Sequence, residues 1–188
     1  MVCDYKTGSP KLSLNEIMEG LSLQLITYLL ALSKTKDTKD LLPAAMMYIY
    51  LHGRPKSISV PPNGIPHAKE KENTNGIFLN NPDVLRTLDS QSGTDDGFIG
   101  VSYVKDGSVK KTSPVLTAEQ FEALKALTEK ILIRLYSRLE SGEIAIHPVK
   151  NGTLSPCSYC PYRSICRFDP ALPENSFDYI SKVSDKTI

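Results

Sequence analysis

The sequence predicts an α/β fold, and three patterns support that prediction. A short β-prone segment at 2–6 opens the chain, and the continuous apolar run at 44–51 has the length of a buried strand. Apolar residues recur at helical spacing over 14–32, between these two segments, and again over 121–139. Strands that alternate with helices in this way are typical of a sheet flanked by helices.

The first helical segment is expected to be one long helix at the centre of the fold. Its apolar residues cover nearly the whole circumference between Leu14 and Leu32, which is the pattern of a buried helix. The polar run at 33–40 ends it. The strand at 44–51 then follows, with turn-forming residues on both sides.

The middle of the chain, roughly 54–116, is predicted to be a loop-rich excursion on the surface. Loop compositions occur at 61–64 (PPNG) and 92–97 (SGTDDG). A short helix is expected after Asn81. The pair Asp106 and Gly107 suits the turn of a hairpin, because glycine readily adopts positive φ.

The second long helix has clear signals at both ends. Thr117 and Gln120 have the spacing of a capping box, and Gly142 is well placed to end the helix. The predicted apolar stripe of this helix consists of Phe121, Leu124, Leu127, Ile131, Leu135 and Leu139.

Composition excludes several classes of protein. The chain has 188 residues, with 22 Lys and Arg against 21 Asp and Glu, so its net charge of +1 excludes a strongly basic nucleic-acid binder and an acidic tail. No apolar stretch is long enough for a transmembrane helix, and the N-terminus lacks the pattern of a signal peptide. We therefore expect a cytoplasmic protein with reduced cysteines and no membrane partner.

Asp4 and Lys6 are the first candidate functional pair. Alternation along a strand places both side chains on one face. A carboxylate there can hold Mg²⁺, while an ammonium beside it stabilises charge developing on a phosphate or polarises a water. The structural alternative is a surface ion pair on a strand, and these residues alone favour that alternative.

Gln24 and Tyr28 are the second candidate pair. Residues four apart on a helix project from one face, so the amide and the phenol are neighbours. Side by side they can hydrogen-bond a base, a phosphate or a catalytic lysine. The structural alternative is a buried glutamine with one backbone partner and a tyrosine in the core.

Cys157, Cys160 and Cys166 form the third candidate group. Thiolates at this spacing suit zinc or an iron–sulfur cluster. Both metals require four ligands and this segment offers three, so the alternative is three unligated cysteines. The three histidines of the chain are not at ligand spacing from one another and are expected to be structural or exposed.

Four segments, taken in order, resemble the C-terminal nuclease domain of the AddB/RexB family. The resemblance implies a PD-(D/E)xK, restriction-endonuclease-like fold of the RecB-like type: an α/β mixed sheet flanked by helices, with a C-terminal Cys-rich metal-cluster segment. It covers nearly the whole chain, because the four segments are 4–8 (DYKTG), 20–29 (GLSLQLITYL), 76–84 (GIFLNNPDV) and 156–169 (PCSYCPYRSICRFD).

The same resemblance implies roles for the two candidate pairs. Asp4 would ligate Mg²⁺, and the carbonyl of Tyr5 would be a further ligand. Lys6 would assist the attacking water and stabilise the transition-state charge. Gln24 and Tyr28 would form the Gln-x₃-Tyr motif of RecB-like nucleases, which supports the lysine or contacts the DNA strand.

The resemblance also divides the chain into a partial nuclease core at 1–149 and a Cys-rich iron–sulfur segment with a tail at 150–188. Cys157, Cys160 and Cys166 would be three of the four thiolates around a 4Fe–4S cluster. That cluster would link the end of the domain to its beginning.

By comparison with the family, the chain is expected to be a fragment truncated at its N-terminus. A further acidic metal ligand and the first cluster cysteine lie upstream in the family, and Cys3 is a poor substitute for that cysteine. The intact protein, with the upstream part and an AddA-type helicase–nuclease partner, would degrade single-stranded or duplex-end DNA as an exonuclease that resects double-strand breaks. The isolated chain is expected to be nearly inactive, because one carboxylate rarely positions hydrated Mg²⁺ for hydrolysis.

Two other functions stay open. One is a non-catalytic zinc-binding interaction module that uses the three cysteines of the C-terminal segment and one histidine. The other is a stand-alone RecB-like exonuclease of the sort associated with CRISPR adaptation. The absent upstream acid and the long central excursion count against this last alternative.

Overall fold

The structure is a computed structural model, and two of the three histidines, His52 and His67, lie outside the residues that it describes. The predicted loop at 61–64 also lies outside them. The described residues are 1–8, 10–38, 40–51, 74–94, 97–173 and 175–180.

A four-stranded mixed sheet forms the centre of the described fold. β1 runs parallel to β2, β3 runs antiparallel to β2, and β4 runs parallel to β3. The prediction of an α/β fold with a mixed sheet is therefore confirmed. In their order across the sheet, the strands are β1 (Val2–Lys6), β2 (Ala45–Tyr50), β3 (Thr74–Leu79) and β4 (Val115–Leu116).

Helices cover both faces of this sheet. The four that pack on it are α1 (Leu14–Met18), α2 (Gln24–Ser33), α3 (Pro82–Leu88) and α4 (Ala118–Glu140). On one face α1, α2 and α4 bury an apolar core that includes Ile17, Leu25 and Phe121. On the other face α3 and the chain around 99–109 bury a second core that includes Phe78 and Leu85.

The prediction of a single helix over 14–32 is wrong, because the structure divides this segment into α1 and α2. Gly20 and Ser22, between the two helices, have φ angles of +83° and +50°. Such left-handed conformations end a helix. A Cβ on Gly20 would lie 3.3 Å from Cγ2 of Ile131, so the glycine also allows α4 to approach closely. The break makes Gln24 the first residue of α2.

The prediction of a surface excursion over 54–116 also needs correction. β3 lies inside the sheet, between β2 and β4, and Ile99 and Val101 are buried against it. The apolar pattern of this strand is interrupted by Gly76, which hides it from a sequence-based prediction. A Cβ on Gly76 would lie 2.8 Å from the Met46 carbonyl oxygen, so the glycine is what allows the two strands to pair at this distance.

The short helix and the hairpin predicted for this region are both present. The Asn81 side chain caps α3 by accepting hydrogen bonds from the first backbone N–H groups of the helix. Gly107 has a φ of +84° in the turn of the hairpin, whose arms are joined by an antiparallel bridge between Tyr103 and Val109.

The capping box of α4 is confirmed, but its apolar stripe is buried only in part. The Thr117 and Gln120 side chains each bond the other's backbone N–H. Burial along the stripe extends as far as Ile131, whereas Leu135 and Leu139 are exposed. The last two turns of α4 therefore extend beyond the core.

Cys157, Cys160 and Cys166 lie in a small C-terminal unit whose ends are held together. β5 (Val149–Lys150) pairs in parallel with β6 (Asp178–Tyr179), and α5 (Arg163–Cys166) lies between them in the chain. The Lys150 ammonium lies 4.9 Å from the ring centroid of Phe177. The division of the chain at residue 149 stays a prediction.

Candidate active site

The strand alternation places Asp4 and Lys6 together, as predicted. Lys6 Nζ lies 2.5 Å from Asp4 Oδ2, and the two side chains retain 29% and 24% of their exposure. The contact between this carboxylate oxygen and the ammonium is an ion pair. The Tyr5 side chain is exposed. The pair is half-buried, which distinguishes it from the surface ion pair that the sequence alone favours.

Gln24 joins this ion pair to Tyr28. Lys6 Nζ donates to Gln24 Oε1 at 2.9 Å, and Gln24 Nε2 donates to the Tyr28 hydroxyl oxygen at 3.3 Å. The amide can face only this way, because an ammonium is a donor without an acceptor and requires the amide oxygen. Asp4, Lys6, Gln24 and Tyr28 therefore form one continuous run of polar contacts.

The position of α2 explains why Gln24 and Tyr28 are available. Leu25, Ile26 and Leu29 are buried against the sheet, so they fix the rotation of the helix. The residues on the opposite face then point outward, and Tyr28 is 49% exposed. The alternative of a buried glutamine and a core tyrosine is therefore wrong.

Sequence-based reasoning missed Tyr48 on β2. This residue pairs in register with Asp4 and is only 4% exposed. The Lys6 ammonium lies 5.0 Å from the centroid of its ring. Strand alternation on 44–51 would have placed Tyr48 on the face of Asp4 once the parallel pairing was known, but no feature of the sequence indicates that pairing.

Two further polar residues fix the loop that follows β1. The Tyr50 hydroxyl donates to the Pro10 carbonyl at 2.6 Å, and the Asn75 side-chain oxygen accepts from the Leu12 N–H at 2.5 Å. Both anchors lie on neighbouring strands of the sheet. These two hydrogen bonds hold the segment that follows Lys6 in place, so that it crosses the end of β2.

The electrostatics of the site keep Lys6 charged. The Asp4 carboxylate beside it raises the pKa of Lys6 above its ordinary value, against the opposing effect of partial burial. Burial raises the pKa of the Tyr48 phenol, so that this group stays neutral at cellular pH. The site therefore presents one fixed positive charge between a carboxylate and two neutral polar side chains.

Two oxygens of β1 fit a hard divalent cation. Oδ2 of Asp4 is buried, and its partner among the described residues is the Lys6 ammonium. The Lys6 carbonyl accepts from the Leu51 N–H on the β2 side. Successive carbonyls of a strand point to opposite sides, so the Tyr5 carbonyl points away from β2, toward the edge of the described sheet. A carboxylate oxygen and a backbone carbonyl oxygen are both of the ligand type that Mg²⁺ binds.

The thiols of Cys157, Cys160 and Cys166 are not gathered around one point in the described residues. Cys157 lies in a 3₁₀ turn at Pro156–Ser158, and Cys166 is the last residue of α5. Within the described ranges, no three His, Cys, Asp or Glu side chains come together around a point that could hold a metal ion. Cys3 packs on the face of β1 opposite to Asp4, and burial raises the pKa of its thiol.

The remaining histidine is not part of either group. His147 is exposed in the stretch between α4 and β5, in agreement with the expectation for it. Separately, none of the helices in the described part of the chain is long and apolar enough to cross a membrane.

The fold and this run of contacts are those of a nuclease class, and the chain belongs to the PD-(D/E)XK nuclease superfamily. The model of that superfamily matches residues 1–167. The match includes all four strands of the central sheet and both candidate pairs.

The chain is similar, over its whole length, to proteins named as the B subunit of an ATP-dependent helicase/deoxyribonuclease. It is 33% identical to the one from Desulforamulus reducens over 98% of the chain and 33% identical to the one from Clostridium kluyveri over 100%. It is 30% identical to the one from Bacillus subtilis, again over 100%. The chain spans 16% to 17% of the length of these relatives. The predicted resemblance to the AddB/RexB family is thereby confirmed.

The ion pair generates a prediction about pH. In Asp4→Asn the pKa of Lys6 is expected to fall toward its ordinary value, because the neighbouring negative charge is lost. The raised pKa in the folded state means that the contribution of the pair to folding is complete below the ordinary lysine pKa and is lost as pH rises through the folded value. The ¹³Cε shift of Lys6, followed against pH in lysine-labelled protein, measures this pKa.

Asp106→Asn is the matched control for this measurement, because it removes one carboxylate from the hairpin, far along the chain from Lys6. It is expected to leave the Lys6 titration unchanged. Equal Lys6 pKa values in the wild type and in Asp4→Asn would show that the ion pair is absent in solution.

Proposed function

We propose that this chain is part of a metal-dependent DNA exonuclease that hydrolyses phosphodiester bonds. The observation that carries the proposal is the run of contacts from Asp4 through Lys6 and Gln24 to Tyr28. It unites residues of β1 and α2 at the edge of the described sheet. The names of the relatives support DNA as the substrate and a helicase as the partner activity.

The proposed metal site consists of Asp4 and the Tyr5 carbonyl. A Mg²⁺ ion bound there would act as a Lewis acid and lower the pKa of a bound water. Asp4 contributes its buried oxygen Oδ2, which pairs with the Lys6 ammonium in this structure. The two protein oxygens leave most of the coordination shell to water and to phosphate oxygens, as is usual for Mg²⁺.

Lys6 acts in this proposal as a cation and a hydrogen-bond donor. Because Asp4 raises its pKa, the ammonium is not a base at neutral pH. It can donate to the attacking water or to a phosphate oxygen and stabilise the negative charge that develops in the transition state. Gln24 orients this ammonium through its amide oxygen, and Tyr28 holds the amide from the other side.

The larger assembly is also part of the proposal. The chain would work within a longer AddB-type protein whose other parts supply most of the DNA grip, together with an AddA-type partner, in the resection of double-strand breaks. The near-zero net charge of the chain agrees with this arrangement, because phosphate contacts by Lys and Arg dominate affinity for DNA.

Metal binding at β1 is tested with Mn²⁺, whose unpaired electrons broaden the NMR signals of nearby nuclei. We expect Mn²⁺ to broaden the amide signals of 3–7 first, because the proposed ligands lie in this segment. Asp4→Asn should abolish that broadening and Asp106→Asn should preserve it. Broadening that is centred on another segment, or that persists in Asp4→Asn, would refute the metal site.

The activity of the isolated chain is a second prediction. We expect almost no Mg²⁺-dependent cleavage of end-labelled single-stranded DNA, because no three His, Cys, Asp or Glu side chains of the described residues come together as a complete metal site. A clear activity that disappears in Lys6→Ala would contradict the expected inactivity while supporting the role of Lys6. An activity that Lys6→Ala leaves unchanged would contradict the role of this site in cleavage.

The cysteine segment is proposed to bind a 4Fe–4S cluster with a fourth thiolate from outside Cys157, Cys160 and Cys166. The spacing of these cysteines supports the proposal. Anaerobic purification with an absorption spectrum and iron and zinc analysis tests it. Bound iron with a broad absorption band is the expected result for a chain that retains a cluster, and it should be lost in Cys160→Ser. One zinc per colourless chain would favour the interaction module instead.

A further inference from the structure

Tyr48 has a feature that packing does not require. It lies among apolar side chains of the larger core, beside Met46 and Ile77, where an aliphatic residue would also fill the space. Its ring instead faces a charged group, since the Lys6 ammonium lies 5.0 Å from the ring centroid. That distance is within the range of a cation–π contact, about 6 Å.

The contact is an attraction to the ring and not to a phenolate. Burial raises the pKa of Tyr48, so the phenol is neutral under ordinary conditions. The positive charge therefore meets the negative face of the aromatic quadrupole. Because Tyr48 is almost fully buried while Lys6 is partly buried, water screens this attraction less than it would at an exposed site.

Among the described residues, three close partners of the Lys6 ammonium lie on three different elements. Asp4 lies on the same strand, Gln24 lies on α2, and Tyr48 lies on β2. Asp4 and Gln24 are also polar groups that metal, water or substrate can engage, which would draw them away from the ammonium. The face of the Tyr48 ring differs from both, because it is neither an oxygen ligand for Mg²⁺ nor a hydrogen-bond donor to phosphate.

We propose that Tyr48 is a positioning residue, whose ring face holds the Lys6 ammonium at the site through a cation–π contact. Its importance for hydrolysis rests on the proposed function, whereas its effect on Lys6 does not. The ring keeps the lysine stem directed along β2, so that the ammonium stays beside Gln24 when Asp4 engages another group.

NMR of the 188-residue chain, without metal or DNA, tests the placement. In lysine-labelled protein, the Lys6 Cε protons are expected to be shifted upfield by the ring current of Tyr48, with the signal assigned by its loss in Lys6→Arg. Tyr48→Phe keeps the ring and should keep the shift. Tyr48→Leu should lose the shift. The population ratio of the Lys6 side chain at its position beside residue 48 to the side chain away from that position should fall by about tenfold, the factor that a partly desolvated cation–π contact supplies.

Phe78→Leu is the matched control, because it also replaces a buried ring by leucine but on the opposite face of the sheet. It should leave the Lys6 signal unchanged, and this separates the effect on Lys6 from general destabilisation. An unshifted Lys6 signal in the wild type, or equal shifts in Tyr48→Phe and Tyr48→Leu, would overturn the proposal.

A fluorinated series distinguishes the quadrupole from ring shape. Phenylalanine and 3,4,5-trifluorophenylalanine at position 48 have similar shapes, but fluorination weakens the negative ring face. The NMR order parameter of the Lys6 Cε group is expected to fall in the fluorinated protein. Equal order parameters would overturn the cation–π proposal, even in a protein whose nuclease activity is intact.

Discussion

The Lys6 ammonium is the group on which the geometry of the site depends. A charge of this kind cannot be half-buried without partners, since removing it from water is costly. Here the partners come from β1, α2 and β2, and each meets the ammonium in a different way: a carboxylate, an amide oxygen and an aromatic face. Because the ammonium needs these partners, residues of β1, β2 and α2 come together around Lys6.

The parallel pairing of β1 with β2 establishes half of this arrangement. In the observed register Asp4 lies opposite Tyr48 and Lys6 lies opposite Tyr50, so one face of two strands carries two charged and two aromatic residues. A register shift of one residue would turn the aromatic side chains to the other face. The apolar cores on both sides of the sheet prevent that shift, because they require the existing alternation.

The break between α1 and α2 establishes the other half. In a continuous helix over 14–32, Gln24 would be an interior residue and would not be the first residue of a helix that begins beside the end of β1. The left-handed residues Gly20 and Ser22 end α1 and let α2 begin anew at Gln24, with its apolar residues against the sheet. The helix break at Gly20 and Ser22 is therefore what places the Gln24 amide beside Lys6.

The chemistry that these residues support is incomplete within the described part of the chain. One carboxylate and one carbonyl are few ligands for an ion that must orient a water against a phosphate. The chain spans 16% of the length of one such relative, and the proposed function assigns the remaining groups to the rest of a longer protein.

The sequence by itself determined the α/β class, the strand at 2–6, the capped helix α4 and the residue types of the site. These depend on local periodicity and on side chains that cap their own helix, such as Thr117 and Gln120. Tertiary structure alone decided the helix break, the inner position of β3 and the partnership of Lys6 with Tyr48. Each of these depends on contacts between segments that are distant in sequence, such as Met46 against Gly76, and no local pattern records them.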